Sequence, residues 1–378
     1  MTGRNTAELA TLTAAKTIAN TALRWVGPFL PTLERAFHSS TGTLTGIMGV
    51  AELGGLNTLA TGAALDRGHE RTVCAAGLGV VALSSAIALA GNLTAFAISF
   101  VLLVIGVGNL TAAGHAWIGH RVPFAARNRA IGAFEMSWAV ALLAGAPILS
   151  LLIEWYGWRG PYVALTISSA LAAVVVLVRV RPSETSAIPA ADRVKGRLPA
   201  AAYVPMVASA AIAASGIGMF VISGTWLEDA HGLSTGGLGL VAAGFGLVEL
   251  VASGAVAGVA DRIGSRRSVA GGLGVLGAGV VMMAAAGGSR LLAVAGLAIF
   301  LLGFEYAFVS SLTVVTEAAP TARGKAIGVS NSIGTLARSG SVVLTGQLYE
   351  HFGIGGSLTM VSVTGATAMT LILLAPHA

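Results

Sequence analysis

Apolar stretches of about 20 residues follow one another from end to end of this sequence, parted only by short polar breaks, and that is the length an α-helix needs to cross the hydrocarbon core of a bilayer. No other feature narrows the possible folds as much. With 10% charged and 55% hydrophobic residues, the chain has too little polar surface for a water-soluble domain, which carries about 25% charged residues. A closed barrel also satisfies backbone groups in lipid, but its strands alternate polar and apolar residues over about ten positions. The stretches here are longer and continuous, so the expected class is an all-α membrane protein. Twelve spans are read, near 9–32, 41–64, 72–91, 94–118, 131–153, 160–180, 201–226, 235–258, 268–287, 291–315, 326–348 and 356–375. The 51 glycines, with many alanines and serines, suit helices that approach closely in lipid.

Basic residues give the orientation. With the N-terminus in the cytoplasm, the inward segments hold most of the arginines and lysines outside the spans, including Arg4, Arg67, Arg71, Arg121, Arg127, Arg129, Arg179, Arg181, Arg193, Lys195, Arg197, Arg262, Arg266, Arg267, Arg323 and Lys325. The outer side has Arg35, Arg159 and Arg290. This is the positive-inside bias, so the expectation is a multi-pass protein of the cytoplasmic (inner) membrane with both termini cytoplasmic. The net charge of +6 then reports topology, and no nucleic-acid partner is expected. Cys74 is the single cysteine, which excludes an internal disulfide and a thiol metal site. The first apolar stretch carries Lys16 and Arg24 and is too long for a signal-peptide core, so it is kept as the first helix.

The sequence repeats itself. "LDRGHERTV" at residues 65–73 and "VADRIGSRRSV" at 259–269 are knots of charge set between apolar spans. "STGTLTGIMGVAELGGL" from Ser40 parallels "STGGLGLVAAGFGLVEL" from Ser234, and Leu33-Glu34 parallels Leu227-Glu228. "RAIG" at Arg129 parallels "KAIG" at Lys325, with Glu154 and Glu350 at equivalent later positions. The expected domains are an N-terminal six-helix bundle at 1–180, a cytoplasmic linker at 181–200 and a C-terminal six-helix bundle at 201–378.

On these motifs the whole chain resembles the major facilitator superfamily of secondary transporters. The family's loop signature, roughly G-x-x-x-D-R-x-G-R-R, is matched by Gly62, Asp66, Arg67 and Arg71, with His69 at the later glycine position. Its second copy is matched by Asp261, Arg262, Gly264 and Arg266, with Ala257 at the first glycine position. The resemblance implies that these loops act as conformational latches. Asp66 and Asp261 would favour the positively polarised starts of helices 11 and 5, each by about 0.3–2 kcal/mol; a purely topogenic charge cluster is the alternative. Residues 127–162, with Glu135, Trp138, Gly145 and Pro147, look like the fifth helix of bacterial efflux-type members. Ala146 and Ser150 depart from the antiporter pattern there. Glu135, one turn inside Arg129 and Arg127, is expected to make a gate contact.

Ionisable residues at mid-bilayer are costly and mark functional candidates. The spans contain seven: Lys16, Arg24, Glu52, Glu135, Glu249, Glu305 and Arg338. Thr13, Lys16, Thr17, Asn20 and Arg24 share one helical face, as do Asn331, Thr335, Arg338, Ser341 and Thr345. In the resembled family helices 1, 4, 7 and 10 line a central cavity, which would give Arg24, His115 and Glu305 access to it. Arg24 and Arg338 keep their charge and pair with a carboxylate or an anionic substrate, whereas Glu52 and Glu305 can take up a proton. The structural alternative pairs Arg24 with Glu52 and Glu305 with Arg338. Trp25 is assigned to packing, and His115 is a candidate relay.

"GLGVLG" at 272–277 fits G-x-G-x-x-G, but no strand precedes it and no acidic residue follows at ribose-binding distance. No nucleotide loop, metal cluster or nucleophile motif is present, so neither an enzyme nor a cofactor beyond a proton gradient is expected. The function expected is secondary transport of small organic molecules by alternating access, by proton-coupled efflux. Proton-coupled uptake of an organic anion and lipid flipping are the alternatives. The partners expected are a small-molecule substrate and the lipid bilayer, with the protein itself a monomer.

Overall fold

The computed structural model describes residues 3–182, 198–256, 258, 261–319 and 322–374. Most of the expected linker, with Arg193, Lys195 and Arg197, and also Ala257, lie outside the described residues. The described residues form an almost wholly helical chain. In order the helices are α1 (Gly3–Arg24), α2 (Leu30–Phe37), α3 (Thr41–Glu52), α4 (Thr58–Asp66), α5 (Glu70–Ala88), α6 (Leu93–Arg121), α7 (Phe124–Val140), α8 (Ala146–Tyr156), α9 (Arg159–Arg179), α10 (Tyr203–His231), α11 (Thr235–Ala255), α12 (Asp261–Ile263), α13 (Ser265–Ala284), α14 (Arg290–Glu317) and α15 (Arg323–Leu374). Nine helices among the described residues are long and apolar enough to cross a membrane. One of them, Lys325–Leu374, is broken at Gly353, whose φ of 62° and ψ of −158° are not helical. With the interrupted first and second spans, this order is consistent with the twelve expected.

Local chemistry sets the breaks. α1 stops before Gly27-Pro28, and Pro31 stands in the first turn of α2, where a missing N–H costs nothing. The second span passes through a 3-10 turn at Leu53–Asn57 containing Gly54 and Gly55. The fifth begins at Phe124, seven residues before the expected start, and carries a π-helical turn at Ala141–Gly145 just ahead of Pro147. Such a wide turn is one way for a helix to absorb a proline that cannot donate. The repeated Ser-Thr-Gly is a helix start. Ser40 Oγ accepts from Thr43 N at 3.3 Å and Ser234 Oγ from Gly237 N at 3.2 Å, each capping its helix.

By internal contacts the chain forms two compact units, Met1–Val26 with Gly54–Arg193, and Gly27–Leu53 with Val194–Ala378. The division differs from the one drawn on the repeat, because 27–53 packs with the later residues. α3 lies against α15, and a Cβ on Gly49 would meet the Ser339 carbonyl at 2.7 Å. In the first unit α1 packs on α7, α9 and α6, and α5 on α6 and α9.

Candidate functional site

The polar stripe of α1 docks on α7. Lys16, Asn20 and Arg24 are spaced by four residues, so they stack on one helical face, and each meets a group between Phe134 and Trp138. Lys16 Nζ lies 2.7 Å from Glu135 Oε1 and 4.3 Å from the centre of the Phe134 ring. Nζ makes no aligned hydrogen bond, so we describe the contact as an ion pair. Asn20 Nδ2 donates to Ser137 Oγ at 3.2 Å. Arg24 Nη1 donates to the Trp138 carbonyl at 2.8 Å, with its guanidinium 4.4 Å from the Trp138 ring centre. All three side chains are buried, Lys16 at 1% exposure and Arg24 at 5%.

His115 of α6 completes the cluster. Its Nε2 is 2.8 Å from the same Glu135 Oε1 that faces Lys16, and its ring stands edge-on to Phe134 at 5.5 Å. One carboxylate oxygen is therefore shared by a buried ammonium and an imidazole. The His115 and Glu135 side chains remain 43% and 44% exposed, against 2% for Lys16. A carboxylate only accepts, so Nε2 carries the proton in this bond and Nδ1 is the ring position left to take another. Trp25 turns to packing, edge-on to Tyr162 at 5.2 Å.

In the second unit, Glu52 Oε2 pairs with Arg338 Nε at 3.2 Å, and Arg338 Nη2 also donates to Thr335 Oγ1 at 3.1 Å. This corrects the pairings drawn from sequence. Glu52 takes Arg338 instead of Arg24, because α3 lies against α15. Glu305 accepts from Ser253 Oγ at 3.5 Å. Glu249 is buried on α11. Glu350 Oε2 accepts from Gly42 N in the first turn of α3 at 2.7 Å, while Gln347 Nε2 donates to the Gly42 carbonyl at 3.1 Å.

The family model of the Major Facilitator Superfamily matches residues 12–341 and 206–378. The chain belongs to this superfamily. It is 26% identical over 344 residues to an uncharacterised MFS-type transporter, YwfA, of Bacillus subtilis strain 168, covering 87% of this chain and 82% of that protein. Its fold is similar to the crystal structure of a D-xylose–proton symporter, with a TM-score of 0.78 and 16% identity over 98% of this chain and 97% of the other. It is also similar to a bacterial homologue of the human lysosomal transporter Spinster in an inward-facing, unoccupied conformation, with a TM-score of 0.77 and 16% identity over 99% and 97% of the two chains. The chain is thus a multi-pass membrane transporter of the superfamily.

Its two signature loops have the same backbone need and meet it one position apart. Gly68 has φ of 81° and Gly264 has φ of 88°, a region glycine enters without penalty. The glycine that His69 displaces in the first loop has moved back by one. Asp66 ends α4 with Arg67 as its C-cap, both exposed; Arg71 lies in the first turn of α5 and Gly62 faces open space. Arg262 is exposed on α12 and Arg266 lies in the first turn of α13, while the side chains of Asp261 and Arg323 lie outside what is described. Arg129 is exposed, and the described partners of Glu135 are Lys16 and His115.

Sequence reasoning missed two further paired carboxylates in the first unit. Buried Glu8 binds Arg181 Nε at 2.7 Å and Arg121 Nη1 at 3.2 Å, which ties the start of α1 to the ends of α6 and α9. Glu70, also buried, is bonded to His120. Only a rule that every buried carboxylate needs a cation could have flagged them.

Proposed function

We propose that the protein is a proton-coupled secondary transporter of a small organic molecule, in which His115, held by Glu135 and backed by Lys16, takes up the coupling proton. The observation carrying this reading is the shared Glu135 oxygen. It fixes one imidazole nitrogen as a donor and leaves the other, on a half-exposed ring, as the position that can accept a proton. Transport proceeds by alternating access, with the two signature loops as latches around Asp66 and Asp261 and the proton gradient as the energy source. Glu305, bonded to Ser253, is the second candidate proton site. Glu52 and Arg338 hold α3 to α15, and Glu249 belongs to the same unit's polar interior.

Export is the direction supported by the likeness of residues 127–162 to efflux-type members. Uptake of an organic anion with a proton is the second reading, favoured by charge. Lys16 and Arg24 outnumber Glu135 in the first unit's cluster, and protonation of His115 adds to the excess. Proteoliposomes containing a pH dye, given cationic, anionic or neutral solute pools from outside, separate the two. An outside anion pool that acidifies the lumen supports symport, and a solute pool whose entry alkalinises the lumen supports exchange and hence export. Proton coupling fails if solute crosses and no pool moves protons.

A further inference from the structure

A groove of about 610 Å³ runs between α1 and α9 in the first unit, a volume in the range of small-ligand sites. Its walls extend from Ala7 to Ile18 on α1 and from Ser168 to Arg179 on α9. Eleven steps of helix on each wall make about 16 Å, close to half of the roughly 30 Å hydrocarbon core. The groove is as deep as one leaflet.

Its two ends differ in chemistry. Arg181 bonds to Glu8, so the end of α9 lies beside the start of α1, and Arg179 stands at that mouth. Arg179 is exposed and makes no hydrogen bond or ion pair among the described residues. Arg4, also exposed, is one turn before Ala7, whereas Arg121 and Arg181 are engaged by Glu8. Below the mouth the walls are small or apolar, with Ala14 on one side and Leu171 on the other. The one lining hydroxyl on α1, Thr11 Oγ1, is spent on the Ala7 carbonyl at 3.0 Å. A ligand that fits has a flexible chain one leaflet long and an anionic head.

We propose that this groove holds an anionic glycerophospholipid of the cytoplasmic leaflet as a resident lipid, with an acyl chain along α1 and α9 and its phosphate on Arg179. The leaflet follows from the basic-residue bias, and the headgroup charge from the exposed Arg179 guanidinium, which has no partner among the described residues. The site is separate from the Lys16–Glu135–His115 cluster and does not depend on it.

The test is mass measurement of the intact, delipidated full-length protein after adding phosphatidylglycerol or phosphatidylcholine with identical acyl chains. Wild type should retain phosphatidylglycerol about fivefold more than phosphatidylcholine, the weight of one basic residue against an anionic lipid. Arg179→Gln should bring the two to the same level. Ala14→Phe, which fills the groove, should lower retention of both. Arg179 is exposed and has no partner among the described residues, so its replacement should leave the melting temperature unchanged and the test stands even if Ala14→Phe misfolds. The proposal is overturned by equal retention of the two lipids in wild type, by a preference that survives in Arg179→Gln, or by a transported solute that displaces the lipid.

Discussion

Lys16 has almost no contact with solvent, and one carboxylate makes its charge tolerable. Removing a single member of a buried pair leaves the other charge uncompensated, at about 3–5 kcal/mol. Because the Glu135 side chain is 44% exposed, Glu135→Gln should fall at the low end of that range. Lys16→Met/Glu135→Gln should recover most of the loss, since Phe134 offers an apolar wall to the methionine. Thermal unfolding in detergent measures both, and a double variant no more stable than the single one would contradict the pairing. The stripe of Lys16, Asn20 and Arg24 was legible in the sequence as a helical face. Its destination was not, because period alone does not say which helix covers a face. The same limit left the partners of Glu135 unnamed beyond an expected gate contact; α1 and α6 supply the described ones.

At the scale of elements, α2 and α3 are held to α10 and α15 by carboxylates that sequence reading noted only as positions of the internal repeat. Glu34, between the first and second spans, is half-buried and accepts from Thr41 Oγ1 at 2.8 Å and Thr225 Oγ1 at 3.0 Å. Burial raises its pKa above the ordinary carboxylate value; Asp229 and Glu228 add to the shift, and the two threonine hydrogen bonds oppose it. The folded state then holds the proton more firmly than the unfolded chain. Its contribution is complete at low pH and is lost as pH rises from about 4.3 through the raised folded value. Glu34→Gln keeps an acceptor for both threonines and removes the charge. The variant should melt above wild type at neutral pH, and the gap should close as the medium is acidified. A gap that is constant with pH, or reversed, would contradict this. The repeated Ser-Thr-Gly was readable from sequence as a parallel between the two halves, whereas the closeness of Gly42 to Glu350, about 300 residues apart, depends on tertiary packing alone.

For the whole molecule, continuous apolar stretches were enough to read a helical membrane protein, because bilayer thickness and hydrogen-bond saturation leave few alternatives; the twin charged loops showed an internal repeat, and the transporter reading came from their resemblance to the superfamily signature. The interruptions were less legible. Gly27-Pro28, Gly54-Gly55 and the π-helical turn before Pro147 occur inside stretches that hydropathy reads as continuous, so segment 27–53 was assigned by the repeat although its contacts lie with α10 and α15. The central functional claim is that His115 carries the coupling proton on a frame set by Glu135 and Lys16. It is tested most directly by measuring solute counterflow and solute-driven proton flux side by side in proteoliposomes, for wild type and His115→Gln. Counterflow needs the transport cycle without net proton movement. The account predicts that His115→Gln keeps counterflow within a few-fold of wild type while its proton flux disappears. Proton flux that persists in step with counterflow would contradict it.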